Sequence, residues 1–245
     1  MNDFLIEEAD ALLRITINHP ERGNAMTDDM AVELTRLLTG AAGGIRVIVL
    51  RGAGDDFCVG RHRASGGAPP LADALDRRDV SDVIFNAYGA FRRAPVPIIG
   101  VVRGRALGFG CAIAALCDIT IAAERAQFQV PEYAHNIMPT MVMSALVDRV
   151  PRKALTYLVW STAIVTPARA REAGIVSEVF PAAELDKAVE ALCEQIMRAP
   201  RPARVGCKDY ARTALDMDTS GAIDYARSIH AVINSSSEML PKGHK

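Results

Sequence analysis

The segment that most constrains the fold covers residues 97–123 and reads PIIGVVRGRALGFGCAIAALCDITIAA. It opens with an apolar stretch rich in β-branched residues, which is typical of a strand covered on both faces. Gly104, Gly108 and Gly110 follow, and then an alanine-rich run that carries no charge before Asp118. Glycine is favoured where the backbone turns sharply or where another group approaches it closely. The segment therefore predicts a buried strand, a tight turn, a buried helix and a second strand.

The sequence before this segment also alternates between strand and helix patterns. Residues 12–18 alternate in polarity and residues 45–52 form a nearly continuous apolar run, so both are predicted strands. Thr27 is a suitable N-cap for a helix that Gly40 ends. A second helix is predicted over residues 71–93, because its apolar residues recur at helical spacing and two prolines follow it.

The predicted order of elements, β-α-β-α-β-α-β, is typical of an α/β fold with covered and largely parallel strands. After about Phe180 only helical periodicity remains in the sequence. We therefore expect two regions: an α/β core over residues 1–190 and a helical C-terminal region over residues 191–245.

Charge and hydropathy limit the expected partners. The chain has 245 residues and a formal net charge of −1, with an isoelectric point of about 6.5. It has no basic stripe, so nucleic acid is not an expected partner. Apolar runs stay well short of the roughly 18 residues of a membrane span, and residues 1–20 have a strand pattern rather than that of a signal peptide. These observations predict a cytoplasmic protein that binds neither nucleic acid nor membrane.

The five cysteines match no spacing of zinc ligands. Most of them lie in apolar stretches, where an unpaired cysteine behaves as a small hydrophobic residue. We therefore expect reduced core thiols rather than a metal site or disulfides.

Two turns share a feature that points to a ligand. The stretches FCVGRH and GRALGFGCAI each follow a predicted strand and contain glycine where a backbone N–H can face a ligand. A helix N-terminus adds unpaired N–H donors and a partial positive charge. Two such donors that converge on one point can stabilise an oxyanion. The same glycine spacing also serves plain packing of a helix against a strand, so spacing alone leaves both interpretations open.

Longer motifs give the chain a family resemblance. The stretches NHPERGNAM, DDFCVGRH, PIIGVVRGRALGFGCAIAALCDITIAAERAQFQVPE and AREAGIVSEVFP together resemble the crotonase superfamily, also called the enoyl-CoA hydratase/isomerase family. The resemblance covers nearly the whole chain. It implies a spiral of repeated β-β-α turns with a helical C-terminal region that packs into trimers, often dimers of trimers. It also implies a coenzyme A (CoA) thioester as substrate and no further cofactor.

The resemblance implies where the substrate binds. The family holds the thioester oxygen with two backbone N–H groups, which fall here on Arg61 and on Phe109, a position that is normally glycine. We expect the Phe109 side chain to lie close to the path of the acyl chain. The residues that match the family's substrate and CoA-binding segments are Arg22, Gly23, Cys58, Gly60, His62 and Gly108. Lys242 and Lys245 are candidates to contact the 3′-phosphate of CoA.

The resemblance also implies the acid/base chemistry. Hydratases of the family hold one water with two glutamates, whereas its isomerases use one glutamate to move a proton from C2 to C4. The two glutamate positions correspond here to Ala112 and Glu132. Because only Glu132 carries a carboxylate, we expect an isomerase-like enzyme with a single glutamate as the acid/base.

Several alternatives remain open from the sequence. His135 could act with Glu132, and Tyr88 and Asp82 could face the acyl pocket, although core or surface positions are the simpler interpretation for the last two. Met138, Met141 and Met143 are predicted to pack or to shape an acyl tunnel. A catalytically shifted homologue, such as a hydrolase or decarboxylase, and an inactive homologue that only binds acyl-CoA are the rival functions.

Overall fold

A six-stranded sheet forms the centre of the computed structural model, which describes residues 2–41, 43–62 and 73–240. The strands in chain order are β1 (Phe4–Ala9), β2 (Leu12–Ile17), β3 (Val47–Gly52), β4 (Ile98–Val102), β5 (Arg105–Leu107), β6 (Ile119–Ala123), β7 (Gln127–Gln129) and β8 (Glu178–Phe180). The sheet has the order β1-β2-β3-β4-β6-β8, and β5 pairs with β7 in a second, two-stranded sheet. Only the β1–β2 pair in the large sheet is antiparallel.

Nine α-helices are present among the described residues. They are α1 (Asp28–Thr39), α2 (Ala74–Arg93), α3 (Phe109–Leu116), α4 (Thr140–Leu146), α5 (Arg152–Ser161), α6 (Pro167–Glu172), α7 (Leu185–Arg198), α8 (Arg201–Ala214) and α9 (Thr219–Asn234). Three short 3₁₀ helices cover Pro20–Arg22, Glu132–His135 and Ser237–Met239. The predicted strands and helices before residue 124 are confirmed, except that residues 71 and 72 of the second predicted helix lie outside the described residues.

The first helix illustrates why the local prediction succeeds. The Thr27 hydroxyl accepts a hydrogen bond from the Met30 N–H at 3.2 Å, and Asp28 and Asp29 occupy the first turn. Gly40 follows the last helical residue. A capping hydroxyl satisfies a backbone donor at the helix start, and acidic residues there interact favourably with the helix dipole. Both boundaries of α1 are therefore set by neighbouring residues alone.

The core fills both faces of the large sheet. Ile15, Ile48 and Ile98 point to the face that α1, α2 and α3 cover, and all three are fully buried. Val49 and Ile99 point to the opposite face, where they pack in one cluster with buried residues of α7. The β-branched apolar runs therefore form strands that are covered on both sides, as the sequence predicts.

The smaller sheet completes a repeated pattern of two strands and a helix. Strands β4 and β5 precede α3, and strands β6 and β7 precede the Glu132–His135 turn and α4. Cys58, between β3 and α2, forms a parallel bridge with Ala106 of β5. The expected spiral of repeated β-β-α turns is thus confirmed. Because β5 and β7 have three residues each, they leave no periodic signal in the sequence.

The C-terminal helices α7, α8 and α9 follow β8 in the chain. Helices α8 and α9 pack against each other, and α8 is joined to the core by Lys208, whose Nζ donates hydrogen bonds to Val96 O and Asp118 Oδ2 at 2.8 Å each. Helix α7 spans the predicted boundary at residue 190, and its buried residues pack on the sheet. That boundary and the trimeric assembly stay predictions.

Two further observations bear on the sequence predictions. All five cysteines are free thiols; four are buried, and Cys207 is exposed on α8. Within the described ranges, no helix is long and apolar enough to cross a membrane.

Candidate active site

The turn before α3 brings together groups from three parts of the chain. Gly108 has a φ of +51°, a conformation that L side chains rarely adopt. A Cβ atom at this position would lie 2.6 Å from Oε1 of Glu132. The Gly108 N–H donates to Gln129 O at 2.9 Å, and the Leu107 N–H donates to Cys58 O at 2.9 Å. Glycine is required here because the Glu132 carboxylate lies directly against the backbone.

Two backbone N–H groups, those of Phe109 and Arg61, are free to bind a ligand at or beside this turn. Phe109 is the first residue of α3, so its N–H has no acceptor within the helix. Met26 forms two backbone hydrogen bonds with this segment: its N–H donates to Gly60 O, and its carbonyl accepts from the His62 N–H. The N–H of Arg61, which lies between Gly60 and His62, therefore faces away from Met26. Neither the Phe109 nor the Arg61 N–H donates to another described residue.

Gly60 has a backbone conformation that L side chains rarely adopt. Its φ is +123°, and a Cβ there would lie 3.6 Å from Leu107 O, just before Gly108. The segment that carries Arg61 therefore runs beside the turn that carries Phe109. The Arg61 side chain points elsewhere, because its guanidinium forms two hydrogen bonds with Asp28, at 2.7 and 2.6 Å.

The Phe109 side chain lies in the wall of the site. It is buried and stacks on Tyr88 of α2, with ring centroids 5.3 Å apart and an interplanar angle of 28°. Both rings line the same pocket as Glu132. The larger side chain is therefore accommodated by α2, while the backbone keeps the form of a helix start.

Glu132 is half-buried at the start of the 3₁₀ turn that follows β7. Its Oε2 atom is buried and has no hydrogen-bond partner among the described residues. Burial raises the pKa of the Glu132 carboxyl above its usual range, although a backbone hydrogen bond and nearby His135 oppose the shift. A carboxylate with a raised pKa and an unsatisfied oxygen is suited to accept a proton near neutral pH.

A pocket of about 470 Å³ surrounds Glu132. Most of its wall is apolar, from residues of α2, α3, α4 and the segment that leads into α4: Ile84, Phe109, Ile137, Met138, Met141 and Val142. The ionisable residues in the wall are Tyr88, Glu132, His135 and Arg61, whose guanidinium is held by Asp28, so Glu132 supplies the one carboxylate among the described lining residues. Ala112 is fully buried in α3.

Apart from one exception, the described residues predicted to contact CoA either line this pocket, as Gly60 and Gly108 do, or lie in segments beside its wall. The Gly23 O atom accepts from Val59 N–H at 3.0 Å, which places the turn of Arg22 and Gly23 beside the segment that leads to Gly60. His62 is exposed just beyond Arg61. Lys242 and Lys245 lie outside the described residues.

Cys58 is the exception. Its thiol is fully buried, lies 3.5 Å from Gly60 O and faces the core, so any contact of Cys58 with a ligand runs through its backbone. Burial raises the pKa of this thiol to about 12.

Two residues of α2, Tyr88 and Asp82, are candidates from the sequence to face the acyl pocket, and they lie in different environments. Tyr88 lines the pocket, whereas Asp82 is exposed on the surface. Burial and the nearby Glu132 carboxylate raise the pKa of the Tyr88 hydroxyl. His135 also lines the pocket, although it is largely exposed. Nowhere in the described chain do three His, Cys, Asp or Glu side chains come together as metal ligands.

Sequence comparison with known proteins shows the family of the chain. The profile of the enoyl-CoA hydratase/isomerase family matches residues 7–243. The chain belongs to this family. A 2,3-dehydroadipyl-CoA hydratase of Escherichia coli is 32% identical over 184 residues, which are 74% of this chain and 70% of that protein. A probable enoyl-CoA hydratase of Mycobacterium tuberculosis, echA8, is 28% identical over 236 residues, which are 92% and 87% of the two chains.

Solved structures of the enoyl-CoA hydratase/isomerase family share the fold. An enoyl-CoA hydratase of Mycobacterium smegmatis superimposes with a TM-score of 0.90 at 24% identity, over 98% of this chain and 93% of that one. A putative enoyl-CoA hydratase of Thermobifida fusca, solved in complex with acetoacetyl-CoA, superimposes with a TM-score of 0.82 at 28% identity and covers 94% of both chains. This chain thus has the fold of the family throughout its described length.

Proposed function

We propose that the protein isomerises an enoyl-CoA thioester, with Glu132 as the single acid/base. The observation that carries the proposal is the position of the Glu132 carboxylate. It is half-buried in an apolar pocket, lies against Gly108 at the start of α3 and is the one carboxylate among the described lining residues. A lone base beside a helix start is suited to move a proton next to a carbonyl group.

In this proposal the thioester oxygen binds to the N–H groups of Arg61 and Phe109. Removal of a C2 proton turns the thioester into an enolate, whose negative charge develops on that oxygen. Donors that are already fixed in place stabilise this charge without reorganisation, and each is worth about 3 kcal/mol in the barrier. The dipole of α3 adds to the effect, because the partial positive charge at its N-terminus lies at Phe109.

The proposed proton transfer has two balanced steps. The Glu132 carboxylate removes a proton from C2 of a 3-enoyl-CoA, and the electron pair of the broken C–H bond moves into the enolate. The dienolate then takes the same proton from Glu132 at C4, and the double bond shifts to C2–C3. The product is the conjugated 2-enoyl-CoA, and Glu132 returns to its starting charge.

Hydration is the second candidate, because two observations favour it. Both curated relatives described above are named as hydratases. In addition, Tyr88 and His135 lie in the same pocket as Glu132 and carry groups that can hold a water. Against it, Ala112 occupies the position of the second glutamate that hydratases of the family use. We therefore rank isomerisation first, and a shifted or inactive homologue that binds acyl-CoA third.

The remaining parts of the proposal follow from the family. We propose that the CoA part of the substrate runs past Arg22, Gly23, Gly60 and His62, and that no cofactor besides this CoA takes part. We also propose a homotrimer or a dimer of trimers, located in the cytoplasm.

The test supplies the purified protein with either a 3-enoyl-CoA or a 2-enoyl-CoA. Absorbance of the conjugated thioester rises with the first substrate in an isomerase and falls with the second in a hydratase. A 3-enoyl-CoA labelled with deuterium at C2 sharpens the test, because a single base returns part of the label to C4 of the product. Glu132→Gln serves as the inactive control.

Each outcome separates the candidates. A rise in absorbance that vanishes in Glu132→Gln, with deuterium at C4, supports the single-glutamate isomerase. A fall with 2-enoyl-CoA and no response to 3-enoyl-CoA contradicts it in favour of the hydratase. Tight binding of acyl-CoA without any turnover contradicts both and supports a binding protein.

A further inference from the structure

A pair of cavities lies at the edge of the sheet opposite the candidate active site. The active-site segments follow the carboxyl ends of β3 and β4, whereas these cavities lie where the two strands begin. The two cavities have volumes of about 320 and 510 Å³ and share Arg201 and Arg204 of α8 in their walls. We call them together the arginine cleft.

The walls of the arginine cleft are strongly cationic. The smaller cavity is lined by Arg93, Arg201, Arg204, Lys208 and Arg212, with Asp209 as its acidic residue. The larger cavity adds Arg46 and Arg198, with Glu238 as its acidic residue. A chain with a formal net charge of −1 therefore concentrates positive charge in one place.

Four of these seven cations lack an ionic partner among the described residues. Lys208, Arg212 and Arg198 pair with carboxylates at 2.8, 2.9 and 3.7 Å. In the part of the chain that the structure describes, no carboxylate lies within 4.0 Å of the other four, which are Arg46, Arg93, Arg201 and Arg204. Like charges in one cleft repel each other unless an anion binds between them.

Arg204 is the buried arginine among these side chains. It is only 8% exposed, and it donates a hydrogen bond to Ala199 O. Arg46 donates in a similar way to Met197 O at 3.3 Å. Both carbonyl groups lie at the C-terminal end of α7, where cations interact favourably with the helix dipole. This contact uses one nitrogen of each guanidinium and leaves other N–H donors for a second acceptor.

The start of α8 adds backbone donors at the same place. The helix has 14 residues, its N-cap is Pro200, and no side chain caps it. Arg201 is its first residue, so the partial positive charge of the helix start lies beside the two shared arginines. Gly43 and Gly44 line the opposite wall, and open space lies where their side chains would be.

We propose that the arginine cleft binds a small molecule that carries two adjacent phosphoryl groups. Arginine forms paired hydrogen bonds with phosphoryl oxygens, and the start of a helix stabilises the same charge. Two cavities that share Arg201 and Arg204 in their walls suit two linked phosphoryl groups better than one. The ligand is a free diphosphate or a nucleoside diphosphate, which share this chemistry. This proposal is independent of the proposed isomerase activity.

The test titrates the full-length protein with inorganic pyrophosphate and with ADP by calorimetry, at constant ionic strength. We expect binding of one equivalent per chain, and at least a tenfold weaker Kd in both Arg201→Gln and Arg46→Gln. Both side chains are exposed, so the variants should keep the thermal unfolding temperature of the wild type. Arg227→Gln, which changes an exposed arginine of α9, is the matched control and should keep the wild-type Kd.

The location of binding is checked with Arg22→Gln, at the proposed CoA path. If Arg22→Gln weakens pyrophosphate binding and Arg201→Gln does not, the ligand occupies the CoA path and the proposal is wrong. Equal binding by all variants also overturns it, since the ligand would then bind outside the arginine cleft. A preference for ADP over pyrophosphate that Arg201→Gln abolishes identifies the ligand as a nucleotide, and equal affinity for the two identifies a free diphosphate.

Discussion

A helix begins at each of two opposite edges of the large sheet, the one where the strands end and the one where they begin. The side chains around these two helix starts differ in charge. At the carboxyl edge, α3 begins at Phe109 among apolar side chains, with one half-buried carboxylate nearby. At the amino edge, α8 begins at Arg201 among cationic side chains. Both helix starts offer unpaired N–H groups and a partial positive charge. The side chains around them therefore decide which charge each can hold.

The two helix starts suit different anions: one that forms only during the reaction, and one that is always charged. Neutral donors in an apolar wall stabilise an oxyanion that exists only during the reaction, and they do not trap a stable anion. Full positive charges, such as those of Arg46 and Arg204, hold an anion that stays charged throughout. We thus expect changes at the carboxyl edge to affect turnover and changes at the amino edge to affect stability or anion binding.

The largest expected effect is that of Glu132→Gln on turnover. Loss of the acid/base lowers kcat by about 10²- to 10⁴-fold, because a glutamine cannot accept the proton. The affinity for acyl-CoA should change little, since the side chains have the same shape. Steady-state kinetics and calorimetry measure the two quantities. Glu124→Gln, at an exposed position, is the control; an active Glu132→Gln protein would remove Glu132 from the mechanism.

The next effect comes from the Phe109 amide. Phe109→Pro removes the N–H at the first residue of α3, where proline is sterically acceptable, whereas Phe109→Ala keeps it. Both variants lose the stacking on Tyr88, so their difference isolates the backbone donor. We expect kcat to be about 10²- to 10³-fold lower for proline than for alanine. Equal kcat values for the two variants would show that the oxyanion does not bind there.

Much of the fold follows from the sequence, because its signals are local. Thr27 and Gly40 fix the ends of α1 through their own contacts, and the apolar runs of β3 and β4 indicate burial on both faces. Strands β5 and β7 could not be predicted in this way, since three residues show no period. Their positions depend on pairing with each other and with Cys58.

The candidate site is less accessible to sequence reasoning. Glu132 is recognisable only through the family motif, because a glutamate in a loop is ordinarily a solvated charge. The place of Tyr88 in the pocket depends on how α2 packs against α3, which no local pattern encodes. The contact expected from Cys58 is limited to its backbone because its side chain turns into the core. The arginine cleft joins segments far apart in the chain, so composition alone does not reveal it.

At the amino edge, Lys208→Met tests whether α8 is held to the core by charge. The Lys208 Nζ donates to Asp118 Oδ2 and to Val96 O, and its side chain is 9% exposed. The variant leaves both acceptors without this donor, so the free energy of unfolding should fall by about 1–3 kcal/mol. Turnover per folded molecule should stay unchanged. Urea unfolding measures the free energy of unfolding, and Lys187→Met, at an exposed position, is the control. A loss of kcat without a loss of stability would contradict the prediction and show that Lys208 at the amino edge affects catalysis at the carboxyl edge.

The smallest expected effect is the dependence of stability on pH at Glu132. The pKa of Glu132 is higher in the folded protein than in the unfolded chain, because burial disfavours the charged form. The folded state therefore binds the proton more tightly, and this contribution to stability is complete below the unfolded pKa and lost as pH rises through the folded pKa. Glu132→Gln removes this loss of stability at high pH, because glutamine has no charged form.

Thermal unfolding from pH 4 to pH 8 measures this effect. The variant should match the wild type at the acidic end and be more stable at the alkaline end, where a difference of about 1 kcal/mol would appear as roughly 2–4 °C. Glu124→Gln, which changes an exposed carboxyl group, should show no such trend. A variant that is less stable than the wild type at pH 8 would mean that the charged carboxylate is favoured in the fold. That result would also remove the reason to treat Glu132 as a base active near neutral pH.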